Sequence, residues 1–577
     1  MSARYTALAL TLFASIPTTA ATGQVADSIY LGGPILTMDD QQPRAEAVAV
    51  ADGKIIGVGS RAEIERAHRT AQTALHDLQG HALLPAFFDA HSHFSMVGLQ
   101  AISANLLPPP DGPGSSIAEL QTALREHLAA HPEAREMNLL IGFNYDDSQL
   151  AEKRHPTRQE LDAVATDIPI VAIHQSGHLG VYNSLALKQA GIDATTVNPE
   201  GGVIIREADG VTPNGVMEEN AHIATLIRLI PRFTAAQHTD MLNRAQQIYL
   251  ANGFTTVQEG RASADTVLGM QQAADAGLLK LDLVIYPDLE QTLDSPVLTG
   301  PLMSHDYRSH LRLGGVKLTF DGSPQGKTAW FTQPYAQPPE HEQAGYRGRP
   351  IFADDAVPLA MMRKAYAHGW QVLIHTNGDA AIDQMIRLVR MAQPGNPPSS
   401  GPHTVMIHGQ YLRADQIPQL KALGIFPSLY PMHTFYWGDW HRTSVAGPER
   451  AAFISPTRAV QQAGMTFSIH SDAPVIFPDS MRLLHSAVNR VTRSGYVLGP
   501  DQRLDVETAL KAMTLWPAWQ HSEGDSKGSI SSGKLADLII LDRDPTTVAK
   551  EDLLSLRVLE TIKEGQPLYR SEKLPGS

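Results

Sequence analysis

Six side chains that could serve a metal centre each close a short apolar run. They are His91 and His93 in LLPAFFDAHSHF, Lys317 in LRLGGVKLTFDGS, His375 in WQVLIHTNGD, His408 in HTVMIHGQ and Asp472 in MTFSIHSDAPV. Imidazole nitrogen and carboxylate oxygen suit one or two divalent cations, zinc above all, and a cation can make water nucleophilic near neutral pH. The chemistry this kit points to is hydrolysis. With 24 histidines in 577 residues, roughly one H-x-H pair is expected by accident, so position must carry the weight. On an extended strand residues i and i+2 point to one side, which directs His91, His93 and the in-phase Asp89 into a common space.

Lys317 ends a mostly apolar run, where an unpaired ammonium is costly to bury. Either it pairs with an acid such as Asp321, or carbon dioxide converts it to a carbamate, N6-carboxylysine, whose oxygens bridge two cations. His375 and His408 precede helix-start chemistry in HTNGDAAIDQMI and HGQYLRADQIPQL. Asp379 could cap the helix that starts at Ala380, or support a ligand. Asp472, just upstream of a proline, can hold a metal and take a proton from water. His470 fits a packing or hydrogen-bonding role better than ligation.

These side chains need strands that end together. From Phe87 onward β-branched runs alternate with helical patterns, which predicts βα units and a parallel sheet. The strands are expected to end near His93, Glu259, Pro287, Phe320, His375, His408, Tyr430 and Asp472, and eight is the number that closes a barrel. Helices are expected over Ala356 to His368 and Ala380 to Met391, the second followed by a QPGNPPSSGP loop on the face away from the site. Residues 104–252 hold strands of their own and read as an insertion after the first barrel strand. Short β runs in residues 22–84, with Asp52-Gly53 as a hairpin turn, return only in residues 525–577, so the two termini are expected to share one small β domain around a barrel of residues 85–524.

Composition narrows the function. Lys+Arg 46 against Asp+Glu 60 gives a net charge of −14 with no basic stripe, so no nucleic-acid or anionic-membrane partner is expected. Residues 1–21 read as a secretory signal, with Arg4, an apolar core and a small-residue exit, which predicts a secreted or periplasmic protein. No later run reaches the roughly 20 apolar residues of a membrane span. Zero cysteines rule out disulfides, thiolate metal sites and thiol nucleophiles. There is no G-x-S-x-G elbow, H-E-x-x-H helix or G-x-x-x-x-G-K-[ST] loop for a rival scheme.

At LLPAFFDAHSHF, GGVKLTFDGSPQGKTA, IHTNGDAAID, HGQ, HSDAPV and the terminal GSISSGKLADLIILDRDP, the chain resembles the metal-dependent amidohydrolase superfamily. Within it, the likeness is to the third large family, that of the N-substituted formamide deformylase-like enzymes, over nearly the whole mature chain. The resemblance implies a distorted (β/α)8 TIM-type barrel, ligands on its first, fourth, fifth, sixth and eighth strands, and a small β-sandwich from both termini. Those positions are His91 and His93, Lys317, His375, His408 and Asp472. Ala86 stands where a glycine is usual, and VMIHGQ lacks the acidic residue that often precedes its histidine.

The expected reaction is hydrolysis of an amide-type C–N bond in an N-acyl or N-formyl small molecule, with Asp472 moving the proton. His178 in HQSGHLG could reach the substrate or make a structural hydrogen bond. Trp330, Phe331, Tyr436 and Trp437 could wall an apolar pocket or simply pack their loops. The same site could cleave an ester or lactone, or the chain could be an exported binding barrel without catalysis. A homo-oligomer is compatible with the sequence, which does not fix the number of subunits.

Overall fold

The computed structural model describes residues 24–339, 342–392 and 401–571. The leader-like residues 1–21 and most of the QPGNPPSSGP loop lie outside them. The chain is a mixed α/β protein whose strands fall into four sheets.

Strands β1 (Ser28–Leu36), β2 (Arg44–Ala51), β3 (Lys54–Gly59), β4 (Ala74–Asp77) and β5 (Ala82–Pro85) begin the first sheet. Asp52 and Gly53 turn β2 into β3 with φ of 49° and 74°. That pair of positive angles is the conformation a two-residue hairpin demands. Short β6 (Phe87–Phe88) then leads to His91 and His93.

Residues beyond the Phe94–Ala101 helix form a separate sheet of β7 (Ala104–Asn105), β8 (Leu140–Tyr145), β9 (Ile170–His174), β10 (Leu179–Tyr182), β11 (Gly202–Arg206) and β12 (Pro213–Glu219). Apolar side chains on its two faces fall into two clusters, one around Ile141, Ile173 and Met217 and one around Leu140, Ile170 and Val216. The alternation follows from the two-residue period of a strand.

The chain then returns to parallel pairing. Strands β13 (Phe254–Ala262), β14 (Asp282–Pro287) and β15 (Leu311–Leu313) join β6 in one all-parallel sheet. Strands β16 (Gly315–Thr319), β17 (Gln371–Thr376), β18 (Thr404–His408), β19 (Ile425–Leu429) and β20 (Ser468–Ile469) form a second. Helices Ala356–Ala367 and Asp379–Ala392 flank β17. Val372, Ile374 and Met406 pack in the large cluster with those helices, whereas Leu373, Val405 and Ile407 join Val284, Tyr286 and Phe426 in a separate cluster on the other strand face. Lys317 and His375 are in phase with that second face.

Finally β21 (Leu538–Leu541), β22 (Val558–Lys563) and β23 (Gln566–Arg570) complete the first sheet, with Leu538 paired to Pro85 across β21 and β5. Eight strands from the two ends of the chain thus share one sheet. Among the described residues no helix is long and apolar enough to cross a membrane.

Candidate metal centre

The strand ends bring the chemical residues together. His91 Nε2 lies 3.6 Å and His93 Nε2 3.5 Å from Asp472 Oδ1, and His408 Nδ1 lies 4.0 Å from Asp472 Oδ2. Lys317 Nζ is 3.0 Å from His91 Nε2. The His375 ring stands edge-on to His408 at 4.7 Å between centroids. One ligand atom each from His91, His408 and Asp472 fits within 4.8 Å, the separation a shared cation requires.

Local backbone explains how they meet. Asp472 N donates to His91 O at 3.0 Å and His93 N to Ala473 O at 2.7 Å, tying the two loop ends to each other. A regular strand would send His408 to the same side as Met406. Its φ of 73° breaks the extended run, and the ring reaches His375 and His470 instead. Asp472 has a φ of 57°. Left-handed backbone at a non-glycine residue costs roughly 1 kcal/mol and tends to persist where function requires it.

Hydrogen bonds fix the rings. Gln258 Nε2 donates to Ala90 O at 2.8 Å, so Gln258 Oε1 is the atom 2.6 Å from His91 Nδ1. His91 must then donate from Nδ1 and keep a lone pair on Nε2, the nitrogen turned toward Lys317 and Asp472. Gly260 allows this approach, because a Cβ there would stand 2.4 Å from the His91 ring. His470 bridges Ser428 Oγ at 2.9 Å and His408 Nδ1 at 3.1 Å. Asp89 takes hydrogen bonds from Ser471 N at 3.1 Å and from the Ser471 hydroxyl.

Burial dominates the electrostatics. It holds His91, His375, His408 and His470 well below the usual histidine range, with Lys317 adding to the effect. Lys317 itself, 2% exposed, is lowered to about 7 by burial, against the attraction of Asp472. Among the described residues it has no carboxylate partner at ion-pair distance. Asp321 is occupied elsewhere, accepting from Asn377 N, Gly378 N and Trp330 N at 2.9, 2.7 and 3.0 Å. Asp379 does not cap from outside the helix. It is the first helical residue, and its carboxylate takes Thr332 N at 2.9 Å and Arg413 Nη1 at 3.0 Å.

These features fit a cation. The donors are imidazoles, one carboxylate and an amine whose pKa burial lowers to about 7, and among the described residues buried His375 Nδ1 makes no hydrogen bond, lying 3.5 Å from Asp321 Oδ1. Two other acid and histidine groups are close enough to be considered, Asp146, Asp147 and His174, and Asp282, His310 and Glu564. Both are already spoken for. Asp146 accepts from Trp437 Nε1 at 2.8 Å and Asp147 from His174 Nε2 at 3.0 Å, while Asp282 lies between Lys527 and Lys563.

The centre opens into a cavity of about 330 Å³ lined by Lys317, His93 and His375 on one side. His178 lines it too, with Nδ1 2.7 Å from Glu219 Oε2 and its ring 5.4 Å from that of His375. The four aromatic residues expected as a wall are not among the lining residues. Phe331 packs on Tyr335 and Tyr411, Trp330 hydrogen-bonds through its backbone to Asp321, Tyr436 donates its hydroxyl to Asp111 at 2.7 Å, and Trp437 is bound to Asp146. Loop packing and buried hydrogen bonds claim them. The apolar wall is built instead by Met96, Phe143, Ile223, Leu226, Ile227 and Ile230. The last four stand at i, i+3, i+4 and i+7 along and just past the Asn220–Leu229 helix, a period visible in the sequence as NAHIATLIRLI. Gln258, Glu259 and Arg261 were also legible in principle, as polar residues closing the apolar run of β13.

Residues 74–569 match the sequence profile of the amidohydrolase family. The chain is similar to an N-substituted formamide deformylase of Arthrobacter pascens, 29% identical over 558 residues, which cover 95% of this chain and 99% of the relative. It is also similar to the protein LONG AFTER FAR-RED 3 of Arabidopsis thaliana, 26% identical over 565 residues, with 95% and 92% covered. Among solved structures, an uncharacterized metal-dependent hydrolase from Pyrococcus horikoshii OT3 superposes with a TM-score of 0.71 at 24% identity, covering 91% of this chain and 99% of the other. That likeness shows a shared fold.

Proposed function

The chain belongs to the amidohydrolase family and is a hydrolase acting on carbon–nitrogen bonds, and from that premise we propose that it cleaves the amide of an N-acyl or N-formyl small molecule with water activated at the His91, His93, Lys317, His375, His408 and Asp472 centre. The observation that carries this reading is convergence without compensation. Five of the six side chains are buried, the sixth lies against Asp472, and among the described residues no carboxylate stands at ion-pair distance from Lys317. The name of the Arthrobacter pascens relative supports the N-formyl end of the substrate range.

The two parallel sheets are read here as arcs of one (β/α)8 barrel spanning residues 85–524, with residues 104–252 inserted. The parallel bridge between Asp288 and Lys317 and the hydrogen bond from Asp472 N to His91 O support closure at the two seams. The shared first sheet supports a β-sandwich domain from residues 22–84 and 525–577. The leader-like residues 1–21 support secretion or the periplasm as its compartment.

One or two divalent cations, zinc by preference for this nitrogen and oxygen set, would supply Lewis acidity that acidifies water and polarises a carbonyl. The neutral rings of His91, His375 and His408 keep lone pairs available to hold them. Lys317, with an amine free of its proton in a large share of molecules near pH 7, can add carbon dioxide, forming an N–C bond and releasing a proton to give the carbamate. Asp472 accepts the proton of the attacking water and returns it to the leaving nitrogen. Burial opposes charge on His178, but its pairing with Glu219 wins and raises its pKa, and its side chain lines the cavity where a substrate carbonyl would lie.

Zinc-loaded protein should hydrolyse N-formyl and N-acetyl amines, and Asp472→Asn should keep most of its metal while losing turnover. Near-normal turnover by metal-bearing Asp472→Asn would overturn the assignment.

A further inference from the structure

The cavity above the proposed metal centre has a cationic side that the amide reaction does not use. Arg261, near the end of β13, lines it together with the apolar residues Ile223, Leu226, Ile227 and Ile230. Its Nε donates to Asp288 Oδ2 at 2.7 Å, and its side chain is 26% exposed. Among the described residues neither terminal nitrogen of Arg261 makes a hydrogen bond. Asp288 is itself locked, because its other oxygen takes Glu290 N and Gln291 N at the start of the Leu289–Thr292 helix. Anchored at Nε, the guanidinium presents its remaining fork, the geometry that takes a carboxylate through two parallel hydrogen bonds.

The anchor also sets the distance to the chemistry. Asp288 forms a parallel backbone bridge with Lys317, so a group held by Arg261 sits beside the strand that carries Lys317. An anion there would be close to the bond being cleaved, while an apolar group would face the helix wall.

We propose that Arg261 is a specificity residue that binds a carboxylate of the substrate, and that the substrate class is N-acylated amino acids with an apolar side chain. The proposal rests on the amide-hydrolase reading above. Hydrolysis then adds water across the amide, giving a carboxylic acid from the acyl group and a free amino acid whose nitrogen takes the proton from Asp472.

The test compares N-formyl and N-acetyl leucine, in both enantiomers, with the same derivatives of isoamylamine, which lack only the carboxylate. Zinc-loaded wild-type protein should favour the better leucine enantiomer by roughly tenfold or more in kcat/KM. Arg261→Met should abolish that preference through KM while leaving the isoamylamine derivatives within about twofold, and Arg261→Lys, which keeps the charge and loses the fork, should fall between. Calorimetric binding of N-acetylleucine to zinc-loaded Asp472→Asn protein, with and without Arg261→Met, reads the clamp without turnover. Hydrolysis of the isoamylamine derivatives with no carboxylate preference, or a preference unchanged by Arg261→Met, would overturn the clamp and leave the hydrolase reading standing. Carboxylate binding that Arg261→Met removes, with no amide hydrolysed, would keep the clamp and overturn the hydrolase reading.

Discussion

Charge is buried at both ends of the parallel strands, and it is resolved in opposite ways. Toward the strand beginnings, Arg312 Nη2 meets Glu523 Oε1 at 2.6 Å, Lys527 Nζ meets Asp282 at 2.5 Å and Glu523 at 2.6 Å, and Lys563 Nζ meets Asp282 at 3.0 Å and Asp537 at 3.2 Å. Three cations face three acids; the opposing charges outweigh burial on Asp282 and Glu523 and lower their pKa, whereas burial wins on Asp537 and raises it. At the strand ends burial holds four histidines well below their usual range, lowers Lys317 to about 7 and pushes Asp89 and Asp321 up to about 7. A self-neutralised network asks for nothing from outside. Among the described residues the lone pairs at the strand ends meet no such network of cations, with Lys317 at His91 lowered to about 7, and that contrast, more than the count of histidines, is what marks the centre for a cation.

The contrast is broken most severely at Asp472. Asp472→Asn should lower kcat by roughly 10²–10⁴-fold, as loss of a proton-transfer group does, with the melting temperature nearly unchanged. A steady-state assay beside a thermal melt reads both. The opposite pattern is expected from Lys527→Met, which leaves Asp282 with Lys563 and Glu523 with Arg312: up to about 3–5 kcal/mol of stability lost in chemical denaturation, with little change in kcat for the folded fraction. Gln258→Leu should weaken metal affinity roughly 10–100-fold in a competition titration, because His91 loses the partner that fixes its ring. A smaller effect concerns acid. Burial opposes ionisation of Glu523, but Lys527 and Arg312 bring its pKa down to about 2. Since a lowered carboxylate pKa stabilises the fold above its unfolded value of about 4.3, this contribution should be complete at neutral pH and drain away between about pH 4.5 and pH 2. Denaturation midpoints across that range should fall less steeply in Glu523→Gln.

Much of this layout was legible because each strand that bears a chemical residue is an apolar run closed by a polar one. LRLGGVKLTF, WQVLIHT and HTVMIH end where β16, β17 and β18 end, and the helices near Ala356 and Ala380 follow their periods. The turn of His408 toward His375 was not legible, since it depends on one backbone angle. Aromatic content left pocket wall and loop packing both open, because the polar atoms of Tyr436 and Trp437 are taken by Asp111 and Asp146, more than 290 residues away in sequence. The ion network was hidden for the same reason. Asp282, Arg312, Glu523 and Lys563 carry no local pattern, and only the pairing of distant strands makes them neighbours.

Metal stoichiometry measured beside activity tests the central claim most directly. Purified wild-type protein should carry one or two divalent cations per chain, lose them and its amide hydrolysis together on chelation, and regain both with zinc, while a His91→Ala, His93→Ala double variant should stay metal-poor and inactive. Full activity in protein stripped of metal, or a double variant that binds metal as the wild type does, would contradict it.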